Sequence, residues 1–275
     1  MFCKFKLIAY LPLVVSITWV VFASSISIAI DILQWNDYDK LVLERFSNFP
    51  LLWYHLMSEA SPTENLQWML QSTGVIISFV AYAKLKHSNR YLSQAWLLLC
   101  AGLFIMLIED SLNFRHVVFA YYIEEGLNDD DRWRVYYKTI WELCFYLLLA
   151  SLMLISALLL IRYIKPDKHC LAFIVIAYFL YGIAALGSAL RKVFDWQERF
   201  GDFLIDKFHF AEIDNWATGF EILKKARNEV EGYTHTMGFL LIDHWYEESL
   251  ELLSAGFLIT AILLLYRLQF GENQL

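Results

Sequence analysis

An all-α, polytopic transmembrane bundle of six spans, with interfacial amphipathic helices in its outer loops, is the fold that the sequence predicts. Three observations lead there. The 275 residues are 59% hydrophobic and 19% charged, with a mean hydropathy of +0.45, where a soluble domain carries roughly a quarter charged residues. Six apolar stretches reach the ~20 residues needed to cross the hydrocarbon of a bilayer. Aromatics make up 17%, with 10 Trp and 16 Tyr, ring types favoured where apolar and wet surroundings meet. The formal charge of −7 excludes nucleic acid as a natural partner; the bilayer itself is the expected one.

The spans are expected at about 7–30, 66–85, 92–112, 139–164, 171–190 and 245–268. Pro12 falls in the opening turns of the first, where a missing N–H is tolerated. Lys4 and Lys6 ahead of an apolar run and Phe22-Ala23-Ser24-Ser25 also fit a cleaved signal peptide, but the run resumes as far as Ile30, which favours an uncleaved span. The four Cys, at 3, 100, 144 and 170, have no Cys-x-x-Cys spacing and suggest neither a thiolate metal site nor disulfides.

Basic residues in short loops set the orientation. Lys84, Lys86 and Arg90 separate the second and third spans with no acid among them, and Arg162, Lys165 and Lys168 separate the fourth and fifth beside Asp167 alone. With six alternating spans, Lys4, Lys6 and Arg267 join them. Both termini are therefore expected in the cytoplasm, and the acid-rich side outside. Asn-x-Ser/Thr sequons are absent, which fits a bacterial inner membrane better than a glycosylated surface.

The outer connections are long, and structureless loops of that length are uncommon. Phe46, Phe49, Leu51, Leu52, Trp53, Tyr54 and Leu56 suggest an interfacial helix in the first. In the outer loop 191–244, Ile213, Trp216, Phe220 and Leu223 recur at helical spacing between Glu212 and Glu231, the pattern of an amphipathic helix on the outer surface or capping the bundle. Asp129-Asp130-Asp131 reads as a turn or a helix N-terminus.

The outer ends of the spans hold the candidate site. The third span ends in Glu109-Asp110, with Arg115 and His116 beyond; the fourth carries Glu142 one turn in; the fifth ends in Arg191-Lys192. The sixth opens with His244, Glu247, Glu248 and Glu251. In one straight helix His244, Glu248 and Glu251 share a face at i, i+4 and i+7, with Glu247 one step off it. Carboxylates at the hydrocarbon edge lose hydration and need a cation, a donor or a proton. Oxygen ligands suit a hard divalent ion, and with the two histidines zinc, iron or manganese. The expected metal-site residues are Glu109, Asp110, His116, Glu142, His244, Glu247, Glu248 and Glu251. The alternatives are wet interfacial acids, or an ion-pair network with Arg115 and Arg191.

Glu247-Glu248-x-x-Glu251 opening a last apolar helix, and an acid followed by His at the end of a middle helix, resemble segments of uncharacterised bacterial polytopic membrane proteins that carry Asp-Glu-x4-His-Glu and Glu-Glu-x-x-Glu. Asp110 and His116 match the first motif, while Ser111 and Val117 replace its two Glu. The resemblance covers these two stretches and implies no particular activity. The leading expectation is an outward-facing cavity that binds a cation for transport or sensing. The alternatives are a membrane metalloenzyme acting on a lipid or quinone, and a non-catalytic subunit whose outer loops dock a membrane partner or a second copy. No G-x-S-x-G, His-Glu-x-x-His, Walker or dinucleotide motif is present, and the apolar segments show no evident break of the kind that marks a transporter site.

Overall fold

The computed structural model describes residues 7–46, 49–118, 121, 131–229 and 235–271. Among them every regular element is helical. Five helices are long and apolar enough to cross a membrane: Leu11–Ile32, Arg90–Leu112, Tyr136–Ile164, Lys168–Arg191 and Met237–Phe270. In chain order the helices are α1 (Leu11–Ser27), α2 (Tyr38–Arg45), α3 (Leu52–Met57), α4 (Pro62–Leu85), α5 (Arg90–Leu112), α6 (Phe114–Val118), α7 (Asp131–Ile164) and α8 (Lys168–Phe194). α9 (Trp196–Lys207), α10 (Asp214–Glu229), α11 (Met237–Leu240) and α12 (Glu248–Phe270) complete the chain. Asp131 opens α7; Asp129 and Asp130 lie outside the described residues.

α4 contains the expected span 66–85 and runs for 24 residues. It is not among the five, because Gln67, Gln71, Ser72, Thr73 and Ser78 interrupt its apolar run.

Two spans are not plain α-helices. α1 continues through a π-turn, Ile28–Ile32, and α12 is preceded by another, Leu241–Glu247. Sequence periodicity does not register such turns. The last span therefore begins at Met237 rather than near 245.

The last span is the hub. Its apolar window is 61% buried, against 22% for those of α1, α7 and α8. α12 packs on α1, α4 and α8, while α5 lies between α4 and α7. Small and hydroxylated residues bring the backbones together, as spans without a hydrophobic drive between them require. Gly256 of α12 sits against Ser16 of α1, where a Cβ would press on the serine side chain. Ser254 Oγ donates to the Ala177 carbonyl at 2.7 Å. The Leu13 N–H, in the first turn of α1 where helical partners are missing, donates to Thr260 Oγ1 at 3.2 Å.

The first and last of the long connections fold into a cap with its own core of Phe49, Leu51, Trp53, Ile205, Phe210, Trp216, Leu223, Met237, Leu240 and Leu241. The helix expected in the first of these connections is α3, Leu52–Met57, and its apolar residues meet protein. Leu51, Trp53 and Met57 are fully buried, and the Trp53 ring stacks on Trp245 with centroids 6.4 Å apart. An apolar ring in sequence does not say whether its neighbours are acyl chains or other rings. α10 covers most of the expected 212–231 helix, and Trp216 and Leu223 are buried in this core.

Asp31 joins cap to bundle. Its carboxylate accepts the Leu52 and Trp53 N–H groups, each at 2.8 Å, and its carbonyl accepts Trp216 Nε1 at 3.0 Å.

α9 was not distinguished within the outer loop by sequence. After a left-handed turn at Asp195 (φ 48°), Trp196 Nε1 donates back to the Gly187 carbonyl at 3.0 Å. α9 then meets α11 backbone to backbone, since a Cβ at Gly201 would overlap the Gly238 peptide. Gly201→Ala is expected to destabilise the protein by about 1–3 kcal/mol through overpacking. A lowered thermal midpoint of the purified protein would read it out; an unchanged midpoint rules out the close contact.

Candidate functional site

A cavity of about 370 Å³ lies between α5, α7, α8 and the last span. Eight carboxylates line it: Glu59 and Glu64 near the start of α4, Glu109 and Asp110 at the end of α5, and Asp243, Glu247, Glu248 and Glu251 at the head of the last span. Two guanidiniums, Arg115 and Arg191, and His244 also face it. The remainder is largely apolar and aromatic, including Met106, Leu149, Met153, Tyr178, Tyr181 and Leu258.

Spacing accounts for how five residues of one helix reach one wall. In a straight α-helix each residue advances by about 100°, so Asp243, Glu247 and Glu251, at i, i+4 and i+8, are neighbours on one face, and His244 and Glu248 line the same space beside them. The π-turn over Leu241–Glu247 adjusts the direction of what precedes it. The expected face set Glu247 one step off its line and did not include Asp243.

Each carboxylate is held differently. Gln67, fully buried on α4, donates from Nε2 to Asp110 Oδ2 at 2.8 Å and to Glu251 Oε2 at 3.0 Å. One amide thus bridges acids from two distant helices. Gln71, one turn on, also donates to Asp110 Oδ2, and to Tyr181 Oη at 3.4 Å. Glu109 accepts the Arg115 backbone N–H at 2.8 Å and forms an ion pair with its guanidinium, 3.2 Å from Oε1 to Nε, with both side chains buried. Arg115 also lies over the Tyr146 ring, 4.5 Å from the centroid, and its carbonyl accepts Trp141 Nε1 at 3.1 Å. Arg191 pairs with Asp243 at 3.0 Å. Glu247 accepts Gln197 Nε2 at 3.2 Å. Glu64 accepts the Ala60 N–H. Glu248 Oε2 is buried and has no hydrogen-bond partner among the described residues.

Six of the eight sequence candidates therefore line one cavity: Glu109, Asp110, His244, Glu247, Glu248 and Glu251. Glu142 is buried beside it rather than on its wall. It lies 3.9 Å from Lys138 Nζ and close enough to Glu109 and Arg191 to feel their charges. The side chain of His116 is outside the described residues. His244 sets its ring edge-on to Tyr54, 5.4 Å between centroids. Sequence reasoning passed over Glu59, Gln67, Gln71, Tyr181, Ser188 and Asp243. A signal existed for two of them: Gln67 and Gln71 stand four apart in an otherwise apolar segment, so they share a helical face and need partners there.

Among the described residues no three His, Cys, Asp or Glu side chains are grouped so as to hold a metal ion; the acids are spread around the wall. No family model matches the chain, and neither a curated protein nor a solved structure is similar to it.

Chemically, the cavity is an anionic space with low-dielectric walls. Among the described residues on its wall, two guanidiniums do not neutralise eight carboxylates, and like charges sharing one desolvated site must take up protons or a cation.

Proposed function

We propose that the chain is a six-span protein of a bacterial inner membrane, termini in the cytoplasm, whose outward-facing cavity binds a cation for transport or sensing. α4 serves as the sixth span: it is as long as the others and packs between α5 and α12, both of them spans. The observation that carries the cation reading is the excess of eight carboxylates over two guanidiniums around one cavity, with Glu248 Oε2 buried and unpaired. Intramembrane acids that face a bundle interior mark ion or proton pathways more often than they serve packing.

The test is an equilibrium titration of purified protein in lipid nanodiscs with Mg²⁺, Mn²⁺, Zn²⁺, tetramethylammonium and an alkylammonium. At least one is expected to saturate with a single site. Glu248→Gln and Glu251→Gln are each expected to weaken it at least ~10-fold, equivalent to ~1.4 kcal/mol. Glu221→Gln, on the exposed face of α10, is expected to stay within about twofold, since a surface charge contributes little. If no cation saturates, or all three variants behave alike, the reading fails.

A further inference from the structure

We infer that the cation is amphipathic, an ammonium carried on an alkyl chain, and that it reaches the cavity sideways from the bilayer between α7 and α8. This rests on the cation reading above and names the ligand class of the same site.

The first argument is size. About 370 Å³ exceeds by an order of magnitude the ~30 Å³ share of one water, and falls among small-molecule sites. A bare ion leaves most of it unfilled.

The second is the division of the wall. From Glu247 inward to Leu258 the helix advances roughly 16 Å at 1.5 Å per residue, and both ends line the cavity. The outer end carries the acids. The inner end is formed by Leu258, Leu149 and Met153, which offer nothing to a hydrated ion and favour hydrocarbon. At Gly182, also on the wall, an added Cβ would meet no atom within 4 Å, so that part of the space is open.

The third is the mouth. Leu147 of α7 and Leu186 of α8 both line the cavity, yet are 65% and 54% exposed. Leu147 lies roughly 12 Å along α7 from Thr139, where the apolar run of that span begins. At this depth the neighbour outside is acyl chain. An amphiphile in the outer leaflet has its charge near the head of the last span and its tail at the level of this opening. Glu248 Oε2, buried and without a hydrogen-bond partner, supplies an acceptor at the charged end.

The experiment compares decyltrimethylammonium, tetramethylammonium and decanol on purified protein in nanodiscs of lipid without amino headgroups. Decyltrimethylammonium is expected to bind at least tenfold more tightly than tetramethylammonium, and decanol not to saturate. Glu251→Gln should weaken the decyl probe at least tenfold. Gly182→Leu fills the apolar end and should weaken the decyl probe at least tenfold while leaving tetramethylammonium within twofold. Ala185→Leu, one turn nearer the mouth on the same wall, repeats this if Gly182→Leu does not fold. Equal affinity for the two ammonium ions, or no effect of either leucine, overturns the amphipathic ligand and leaves the cation reading standing. So does carboxylate-dependent binding of a metal ion alone. Decyl binding that is indifferent to Glu251→Gln overturns both. Added ethanolamine lipid separates the sources: competition assigns the site to a bilayer lipid amine, and no competition to a free alkylammonium, either being the inferred chemistry.

Discussion

Arg115→Met is expected to lower the stability of the protein by about 3–5 kcal/mol, the cost of leaving one partner of a buried ion pair without the other. Arg115 and Glu109 are both buried, 3.2 Å apart from Nε to Oε1. The guanidinium also lies close enough to Asp110, Glu247 and Glu251 to offset their charge. Methionine keeps an apolar side chain of similar reach but removes the guanidinium that lies over Tyr146 and its charge, so Glu109 is left ionised among acids or must take a proton. Arg115→Met combined with Glu109→Gln should regain at least half of the loss, because the amide carries no charge and its oxygen still accepts the backbone N–H of residue 115. Thermal or denaturant unfolding in a mild detergent measures both. If the single and the double variant are equally unstable, the loss comes from packing, and Arg115 is not the counter-charge of the cavity.

Asp31→Ala is expected to cost about 2–5 kcal/mol. The carboxylate accepts two backbone N–H groups, of Leu52 and Trp53, and each buried donor left unpaired costs about 1–3 kcal/mol. The exposure of Asp31 is 1%, so water does not replace it readily. Asp31→Asn should recover about half, since its one carbonyl oxygen serves one donor while its NH₂ opposes the other. The damage should be local first: amide hydrogen exchange at Leu52 and Trp53 accelerates, and fluorescence of the Trp53, Trp216 and Trp245 cluster changes before the spans unfold. Unchanged exchange at those two amides would show that Asp31 does not hold the cap.

Much of the fold was legible along the chain. Four of the five apolar helices lie within a few residues of the expected stretches, and the fifth, the last, starts eight residues earlier, at Met237; hydropathy and length are local properties, and a membrane imposes a minimum length on every span. α4 was less clear for the same local reason: its buried glutamines lower its hydropathy even though they face the interior. Composition left the cap's core open, since Leu51 and Trp53 satisfy lipid and protein equally well until their neighbours are known.

By itself, then, the sequence determined that the chain is helical, that several helices are apolar enough to cross a bilayer, and that acids gather at one end of them. Tertiary structure alone decided which of those acids share a cavity. Packing turned the face that holds Asp243, Glu247 and Glu251 toward the cavity and placed Gln67 between Asp110 and Glu251, and Glu142 came to rest beside the cavity rather than in it. The physical reason is that depth along a span follows from residue number, whereas the direction in which a side chain points follows from helix rotation and from the neighbour it meets, and neither is written in local spacing.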